Sequence, residues 1–310
     1  MNNEAHTQEV QVGLIGLGAM GQGMASSLRR AGYALRVYDI RAAIAEDFAQ
    51  GGGLACATPA EVACHSDVLV SVVVNAAQTE EVLFGAGGCA AALRPGSVFV
   101  MCSTVAPNWS ADLETRLAAL GILYLDAPIS GGAAKAASAQ MTMMTSGTPA
   151  AYARCGPVLD AMAAKVYRLG DQAGAGSKVK IINQLLAGVH IAAAAEAMAL
   201  GLREGVDPAA LYEVITHSAG NSWMFENRMA HVLAGDYTPL SAVDIFVKDL
   251  GLVLDTARAS KFPLPLSATA HQMFMQASSA GFGREDDSAV IKVFPGLVLP
   301  GKKPGERGSP

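Results

Sequence analysis

The sequence predicts an α/β domain with a doubly wound parallel sheet, then an all-helical domain, with a long helix joining the two. Three observations carry this prediction. In the first half of the 310 residues, short β-branched runs such as residues 67–74 alternate with segments of helical period. A glycine-rich turn at residues 16–21 follows the first run. From residue 174 onward, the apolar residues recur at helical spacing only.

The composition is apolar and poor in charge, which argues against several classes of protein. Hydrophobic residues make up 51% of the chain and charged residues 16%, and the net charge is -5. Because no basic run is longer than two residues, we expect no nucleic-acid partner. The first ten residues are polar and lack the features of a signal peptide, so we expect a cytoplasmic protein.

Neither cysteine chemistry nor a membrane span is predicted. The five cysteines form no C-x-x-C pair and no metal-ligand spacing with histidine, so we expect neither a disulfide framework nor a metal site. Residues 181–202 approach the length of a membrane span. They contain Asn183, Gln184, His190 and Glu196, however, which favours a buried helix and no membrane contact.

The first strand, the glycine turn and the second strand together predict a dinucleotide site. Residues 10–15 are an apolar run that leads into G-x-G-x-x-G, and helical spacing follows. The second strand, residues 35–38, ends on an acid about 20 residues beyond the glycines, as in Rossmann-type folds. Glycines there let the backbone approach a pyrophosphate at a helix N-terminus. The cofactor contacts predicted in this part are Gly16, Leu17, Gly18, Ala19, Met20, Gly21, Asp39 and Ile40.

Asp39 also bears on the choice of cofactor. A carboxylate at this position binds a ribose hydroxyl and repels a 2′-phosphate, so we expect NAD rather than NADP. Arg41 lies close enough in sequence to partner that phosphate, which keeps NADP as the alternative. A solvated aspartate without a cofactor role is a further alternative.

Later strands should bring more residues to the same edge, because ligands of open α/β sheets bind at the carboxyl ends of the strands. The strand at residues 67–74 ends at Val73, Val74 and Asn75, which should face the cofactor. The strand at residues 97–101 delivers Thr104, which is either a ribose or substrate contact or an ordinary cap of the following helix.

The next strand, residues 122–125, leads into the block Asp-Ala-Pro-Ile-Ser-Gly-Gly at residues 126–132. Ser130, Gly131 and Gly132 would expose backbone N–H groups that can hold a carboxylate, although a plain turn fits the pattern equally well. A strand at 140–146, a helix at 149–164 and a strand at 166–169 complete the α/β domain, which we place at residues 1–172.

The all-helical domain is placed at residues 173–298 and a mobile tail at residues 299–310, because the tail is rich in Pro, Gly and Lys. Gly and Pro punctuate the helical period in this domain. The predicted helices cover residues 177–204, 208–218, 223–234, 241–259, 265–281 and 286–294.

Residues 174–184 form the entry of the long helix and are predicted to be both a hinge between domains and the carrier of the reaction's proton. Lys180, Asn183 and Gln184 are spaced i, i+3, i+4 and therefore share one helix face. Lys178 is two residues from Lys180 and points about 200° away from it, so only one of the two lysines can face the site.

Four blocks of sequence resemble the β-hydroxyacid dehydrogenase family, which includes 3-hydroxyisobutyrate and tartronate-semialdehyde enzymes. They are residues 16–21, 126–132, 174–184 and 248–250, and the resemblance extends from residue 12 to about residue 294. It implies that Lys180 is the catalytic acid/base and that residues 130–132 hold the substrate carboxylate. It also implies that Val73, Val74, Thr104 and Lys248 contact the cofactor.

Within this family, residues 217–224, 236–239 and 243–249 look most similar to a branch that acts on L-threonate. The family pattern usually has asparagine where this chain has Gln184. Asn183 and Gln184 would add donors and acceptors beside the lysine, which suits a polyhydroxylated acid, with 3-hydroxyisobutyrate or tartronate semialdehyde as alternative substrates. Lys248 and Asp249 are either a solvated face of their helix or a pair in which Asp249 orients Lys248.

The predicted reaction is oxidation of a short hydroxy acid by hydride transfer to NAD, with Lys180 taking the hydroxyl proton. A lysine normally titrates near pH 10.4, so this role requires desolvation or a cationic neighbour. A non-catalytic dinucleotide-binding module is the alternative of a different class, and a phosphosugar decarboxylase is disfavoured because no basic cluster is present. The apolar circumference of residues 181–202 also predicts a homo-oligomer.

Overall fold

The computed structural model describes residues 10–301. Their contacts divide the chain into two compact units, the first ending at Lys180 and the second beginning at Ile181. The division falls inside the long helix, whereas the sequence places the domain boundary just before it, between residues 172 and 173.

The first unit alternates strands with helices. Its strands are β1 (Val12–Ile15), β2 (Leu35–Tyr38), β3 (Leu54–Ala55), β4 (Val68–Ser71), β5 (Val98–Met101), β6 (Leu123–Asp126), β7 (Ile129–Ser130), β8 (Met141–Gly147) and β9 (Ala163–Arg168). Its helices are α1 (Gly21–Arg30), α2 (Ala42–Gln50), α3 (Pro59–Ala63), α4 (Ala76–Phe84), α5 (Pro107–Ala118), α6 (Gly132–Ala137) and α7 (Pro149–Asp160).

The strand order is β3-β2-β1-β4-β5-β6-β8-β7, and β9 pairs with β8. Strands β1 to β6 pair in parallel, and β1 lies between β2 and β4, so the winding reverses there. Every residue of β1, β4 and β5 is buried, because helices cover both faces of a parallel sheet. The predicted doubly wound Rossmann-type sheet is confirmed. The antiparallel pairing of β8 with β6 and β7 is an addition that the sequence pattern did not indicate.

The long helix α8 (Ala175–Arg203) crosses from the first unit into the second. It has 29 residues and, by length and composition alone, is long and apolar enough to cross a membrane. Within the second unit, Ile191, Ala195 and Met198 of α8 are buried in the hydrophobic core, as expected for a core helix. The other helices of this unit are α9 (Pro208–Thr216), α10 (Trp223–Ala234), α11 (Val243–Ala259) and α12 (Pro265–Ala277).

The end of the second unit departs from regular α-helix. A π-helical turn, Ser278–Phe282, follows α12, and Gly281 within it has a non-helical φ of 95°. The predicted helix at residues 286–294 is a 3-10 segment, Asp287–Val293. Leu299 is 8% exposed and packs in the core, so the chain is still ordered by packing where the tail was expected to begin. Residues 302–310 of that predicted tail lie outside the described residues.

Candidate active site

The glycine turn between β1 and α1 is shaped by two close backbone approaches. The N–H of Gly16 donates to the carbonyl of Tyr38 at 2.8 Å. Gly16 has a φ of +94°, and a Cβ there would lie 2.4 Å from the carbonyl oxygen of Val72. A Cβ on Gly21 would lie 1.8 Å from the carbonyl oxygen of Gly16. Both positions therefore require glycine for the fold of the turn itself.

Gly18 differs, because a Cβ there would meet no protein atom within 4 Å. The protein's own packing does not require glycine at this position. A pyrophosphate can approach the backbone closely at the start of α1 only if no side chain occupies the space beside it, and glycine leaves that space open. The residues present therefore fit the dinucleotide that the turn predicts.

The two kinds of glycine predict two different phenotypes. Gly21→Ala should destabilise the fold by about 1–3 kcal/mol, because its methyl group overlaps a fixed carbonyl. Gly18→Ala should leave the melting temperature unchanged but weaken cofactor binding by about tenfold or more, equivalent to ~1.4 kcal/mol. Thermal melting and calorimetric titration with NAD would check both. Equal losses of stability in the two variants would contradict this division of roles.

Asp39 at the end of β2 is 6% exposed and ties the glycine turn to Arg41. Its Oδ2 accepts from the N–H of Leu17 at 2.8 Å, and its Oδ1 accepts from the N–H and the Nε of Arg41 at 2.9 and 3.1 Å. Burial by itself raises the pKa of this carboxyl. The hydrogen bonds from Arg41 and Leu17, with the charge of Arg41, outweigh burial and hold the pKa below its ordinary value. The next residue, Ile40, is 88% exposed.

The loops after β4 and β5 are bonded to each other. The Ser103 hydroxyl donates to the carbonyl of Val73 at 2.8 Å and lies 3.1 Å from the Thr79 hydroxyl. Val74 is 44% exposed at this edge. The Asn75 side chain accepts from the N–H of Gln78 and caps α4, a function that the sequence analysis did not assign to it. Ser103 was missed as well, since a hydroxyl bonded to a distant carbonyl leaves no local pattern.

Thr104 is not the N-cap residue of the following helix. The N-cap of α5 is Ala106, which has no capping side chain, and proline occupies the first turn. Thr104 therefore does not occupy the cap position that one interpretation gave it, and its predicted contact with cofactor or substrate stays a prediction.

The predicted carboxylate loop follows β6 on the same edge of the sheet. Gly131 and Gly132 have φ values of 135° and 79°, so both use backbone conformations that favour glycine. Ser130, in β7, pairs with Thr142 of β8. The helix α6 that follows the loop packs against α1, where the Ser27 hydroxyl donates to the carbonyl of Ala136 at 2.9 Å. The carboxylate loop is thereby held against the helix that follows the glycine turn.

The entry of α8 reaches this edge as well. Lys180 is 7% exposed, whereas Lys178 is exposed, so the two lysines differ in environment as their spacing predicts. The N–H groups of Gly174 and Ser177 donate to Asp126 at the end of β6, each at 2.9 Å. These bonds hold residues 174–177 to the first unit, and the predicted hinge between domains stays a prediction. The sequence did not predict that Asp126 accepts hydrogen bonds from the start of α8, because the resemblance places Asp126 in the substrate block.

In the second unit, four polar side chains form one hydrogen-bonded chain. Asp249 is 1% exposed and accepts from Gln184 Nε2 and from Lys248 Nζ, both at 2.5 Å. The Oε1 of Gln184 accepts from Asn183 Nδ2 at 3.1 Å. Gln184 is 8% exposed, while Asn183 is partly exposed. The expectation that Asp249 orients Lys248 agrees with this geometry, and the link from Asp249 to Gln184 across two helices was not foreseen.

Across the described residues 10–301, no three His, Cys, Asp or Glu side chains lie close enough together to hold a metal ion. The five cysteines are all unpaired. Burial raises the pKa of the Cys89 and Cys155 thiols to about 12, so neither supplies a thiolate nucleophile near neutral pH.

Two family profiles match almost the whole chain. Residues 11–170 match the NAD binding domain of 6-phosphogluconate dehydrogenase, and residues 174–294 match the domain described as NAD-binding of NADP-dependent 3-hydroxyisobutyrate dehydrogenase. The gap between the two matches coincides with the loop before α8.

Individual proteins match over the same length. The chain is 68% identical over 291 residues to an L-threonate dehydrogenase of Cupriavidus necator, covering 94% of this chain and 98% of the relative. It is 54% identical over 298 residues to an L-threonate dehydrogenase of Escherichia coli K12, with coverages of 95% and 98%. A crystal structure described as 3-hydroxyisobutyrate dehydrogenase from Salmonella typhimurium matches with a TM-score of 0.88 and 55% identity, covering 92% of this chain and all of that one.

Proposed function

We propose that this chain, which belongs to the β-hydroxyacid dehydrogenase family, oxidises L-threonate to the 2-oxo acid with NAD. The chain is a nicotinamide-dependent dehydrogenase of hydroxy acids, and the proposal concerns the substrate, the cofactor form and the residues. The observation that carries the choice of substrate is 68% identity, over nearly the full chain, to an enzyme that bears this name. The name 3-hydroxyisobutyrate dehydrogenase belongs to a structure at lower identity, 55%.

Our proposal assigns the binding tasks to the residues described above. The glycine turn, with Asp39 and Ile40, would hold the adenosine and pyrophosphate parts of the cofactor, and Val73, Val74, Asn75, Thr104 and Lys248 would complete its binding. Bound there, the nicotinamide supplies an acceptor for hydride. The N–H groups of Ser130, Gly131 and Gly132 would bind the substrate carboxylate.

Lys180 would carry the proton in this reaction. The carbinol C–H bond would break, and the hydrogen would leave with both electrons as hydride. The O–H proton would pass to Lys180 Nζ, and the electron pair of the O–H bond would form the C=O bond. Lys180 lies within the first two turns of α8 and is 7% exposed, so its side chain is largely shielded from water. Asn183 lies i+3 from Lys180 on the same helix and is partly exposed, so its amide would bind a hydroxyl group of the substrate.

Turnover across a panel of acids tests the substrate. L-threonate, the other four-carbon sugar acids, 3-hydroxyisobutyrate and tartronate semialdehyde would each be assayed with NAD and with NADP. We expect kcat/KM to be highest for L-threonate with NAD. Preference for 3-hydroxyisobutyrate would overturn the choice of substrate, and absence of turnover despite NAD binding would favour a non-catalytic module.

Asp39 is expected to set the preference for NAD. Asp39→Asn can keep the bond from Leu17 through its carbonyl oxygen, but its NH2 group no longer accepts from Arg41. The released guanidinium can then pair with a 2′-phosphate. The ratio of kcat/KM with NADP to that with NAD should rise by about tenfold or more, equivalent to ~1.4 kcal/mol. The double variant Asp39→Asn, Arg41→Ala should lose this gain, and an unchanged ratio in the single variant would contradict the assignment.

Gln184 is expected to support Asn183 rather than to touch the substrate. Gln184→Asn shortens the side chain by one methylene, so it cannot reach Asp249 and Asn183 together. The KM for the hydroxy acid should rise by about tenfold, equivalent to ~1.4 kcal/mol, with the dissociation constant of NAD unchanged. Gln276→Asn, at an exposed position of α12, is the matched control. An unchanged KM in Gln184→Asn would show that the link to Asp249 has no bearing on the substrate.

We also propose that the protein is cytoplasmic and homo-oligomeric. The unpaired state of all five cysteines supports a reducing compartment. On α8 within the second unit, Ile182, Leu186 and Leu200 are 59%, 51% and 62% exposed. Residues 4 and 18 positions apart fall on one side of a helix, since 18 residues make five turns. This apolar stripe supports burial against a second copy of the chain.

A further inference from the structure

We propose that Asp126 is a positioning residue for Lys180, acting as the N-terminal cap of α8 from the end of strand β6. This inference rests on the proposed acid/base role of Lys180. Asp126 is 0% exposed and lies in the same unit as Lys180.

Two carboxylate oxygens of Asp126 accept four hydrogen bonds from the helix entry and its surroundings. Oδ2 accepts from the N–H of Gly174 and the N–H of Ser177, both at 2.9 Å, and from the hydroxyl of Ser146 at 3.1 Å. Oδ1 accepts from the hydroxyl of Ser177 at 2.7 Å. The Ser146 hydroxyl in turn accepts from the N–H of Gly176 at 2.9 Å. Three backbone N–H groups at the start of α8, which a helix cannot satisfy internally, are thus satisfied by two strand residues.

This capping differs from that of other helices in the chain. In α3, α4, α7, α9 and α10, the N-cap residue itself supplies the side-chain acceptor. In α8, the residue before the first helical position is Gly174, which has no side chain to offer. Its acceptor instead comes from 48 positions earlier in the chain. A cap within the loop would allow the helix entry to move with that loop, whereas a cap from β6 fixes it to the sheet edge.

The helix entry is also too close to the sheet for any side chain at two positions. A Cβ on Gly176 would lie 2.3 Å from the carbonyl oxygen of Met144, and one on Gly174 would lie 2.9 Å from the carbonyl oxygen of Pro107. The backbone of α8 therefore contacts β8 and the start of α5 directly. Lys180 follows Ser177 by one helical turn, so these contacts fix the height and rotation at which its side chain leaves the helix.

The hydrogen bonds, rather than the charge alone, carry this positioning. Burial raises the pKa of the Asp126 carboxyl, and the bonds from Ser177, Gly174 and Ser146 counter that effect. The two backbone N–H groups can only donate, so they require an acceptor oxygen at the Oδ2 position. An asparagine can provide that oxygen, while its NH2 group donates to the hydroxyl of Ser177. Alanine provides neither.

The test compares Asp126→Ala, Asp126→Asn and Ser177→Ala with Thr148→Ala. Thr148 caps α7 in the same unit by accepting from the N–H of Ala151, and thus controls for loss of a helix cap that carries no site residue. For each variant, kcat, the dissociation constant of NAD and the melting temperature are measured, with kcat taken where circular dichroism shows the fold intact. Lys180→Ala is assayed in parallel.

We expect kcat to fall by about tenfold or more in Asp126→Ala, since a misplacement of about 1 Å can cost ~10²-fold. Asp126→Asn should recover kcat to within about threefold of the wild type, and Ser177→Ala should lose about threefold to tenfold, on the same scale of misplacement. NAD binding should stay within about twofold throughout, and Thr148→Ala should lower only the melting temperature.

The proposal is overturned if folded Asp126→Ala and Ser177→Ala keep kcat within twofold of the wild type, or if Asp126→Asn loses as much activity as Asp126→Ala. Should Asp126→Ala fail to fold, Ser177→Ala and Asp126→Asn decide alone. If Lys180→Ala itself retains turnover, the acid/base role of Lys180 fails instead, and if the wild type turns over no hydroxy acid, the proposed function fails. The two failures are therefore distinguishable.

Discussion

Lys180→Ala is expected to lower kcat by about 10²- to 10⁴-fold, the range that general acid/base catalysis contributes. The variant leaves no group at this position that can take the hydroxyl proton. Lys180→Arg should be nearly as inactive, because a guanidinium stays protonated and cannot act as a base. Steady-state turnover of L-threonate, together with calorimetric titration of NAD, would check this prediction.

Lys178→Ala is the matched control, since Lys178 is exposed and lies two residues away on the same helix. We expect it to keep turnover near the wild-type level. The assignment of Lys180 fails if Lys180→Ala turns over within a few-fold of the wild type while NAD still binds. Parallel loss in both variants would point instead to a general disturbance of α8.

Breaking the buried ion pair of the second unit is expected to destabilise the fold by about 3–5 kcal/mol. Arg228 on α10 is 7% exposed and bonds to Asp287, which is 0% exposed, through both Nε and NH2. Asp287→Ala would leave the Arg228 guanidinium buried without this partner. Replacing both by apolar residues, as in Arg228→Met, Asp287→Leu, should recover most of the loss, because neither charge of the pair is then left buried without the other. Urea unfolding curves would measure both values.

The pH dependence of the free energy of unfolding should also report on the Arg228–Asp287 pair. Burial raises the pKa of Asp287 to about 6, the opposing effect of Arg228 being insufficient to restore the ordinary value. A raised pKa means that the folded state binds the proton more tightly than the unfolded one. The contribution of Asp287 is therefore fully present below its ordinary pKa of ~3.9 and is lost as the pH rises through about 6. Comparing wild type with Asp287→Asn between these limits should show a smaller loss of stability in the variant, and identical slopes would contradict the shift.

The sequence was a good guide wherever the signal is local. Glycine spacing and the acid at Asp39 predict the cofactor turn, because a βαβ unit fixes the distance between them. Helical period alone places α8 to α12 within a few residues. Helix geometry predicts that Lys178 and Lys180 lie in different environments, and the resemblance to the family selects Lys180 of the two.

Features that depend on distant pairings could not be predicted. The capping of α8 joins Asp126 to Ser177 over 51 positions, and the link from Gln184 to Asp249 spans 65. A single sequence has no information about which buried polar groups meet. Asp126 was therefore grouped with the neighbouring substrate block, and Gly174 and Gly176 were not predicted to allow close packing. In the structure those glycines allow close packing.

The attachment of α8 to the sheet has a consequence for how the protein gains and loses activity. The bonds from Gly174, Gly176 and Ser177 to β6 and β8 bridge 30 to 51 residues, so they join parts of the chain that are distant in sequence. Long-range contacts of this kind are slow to close during folding. If Asp126 positions Lys180 as proposed above, opening of these bonds at the sheet edge removes catalytic competence, and a local opening can require less free energy than global unfolding. Under mild denaturant, turnover should therefore disappear while most of the helical content persists.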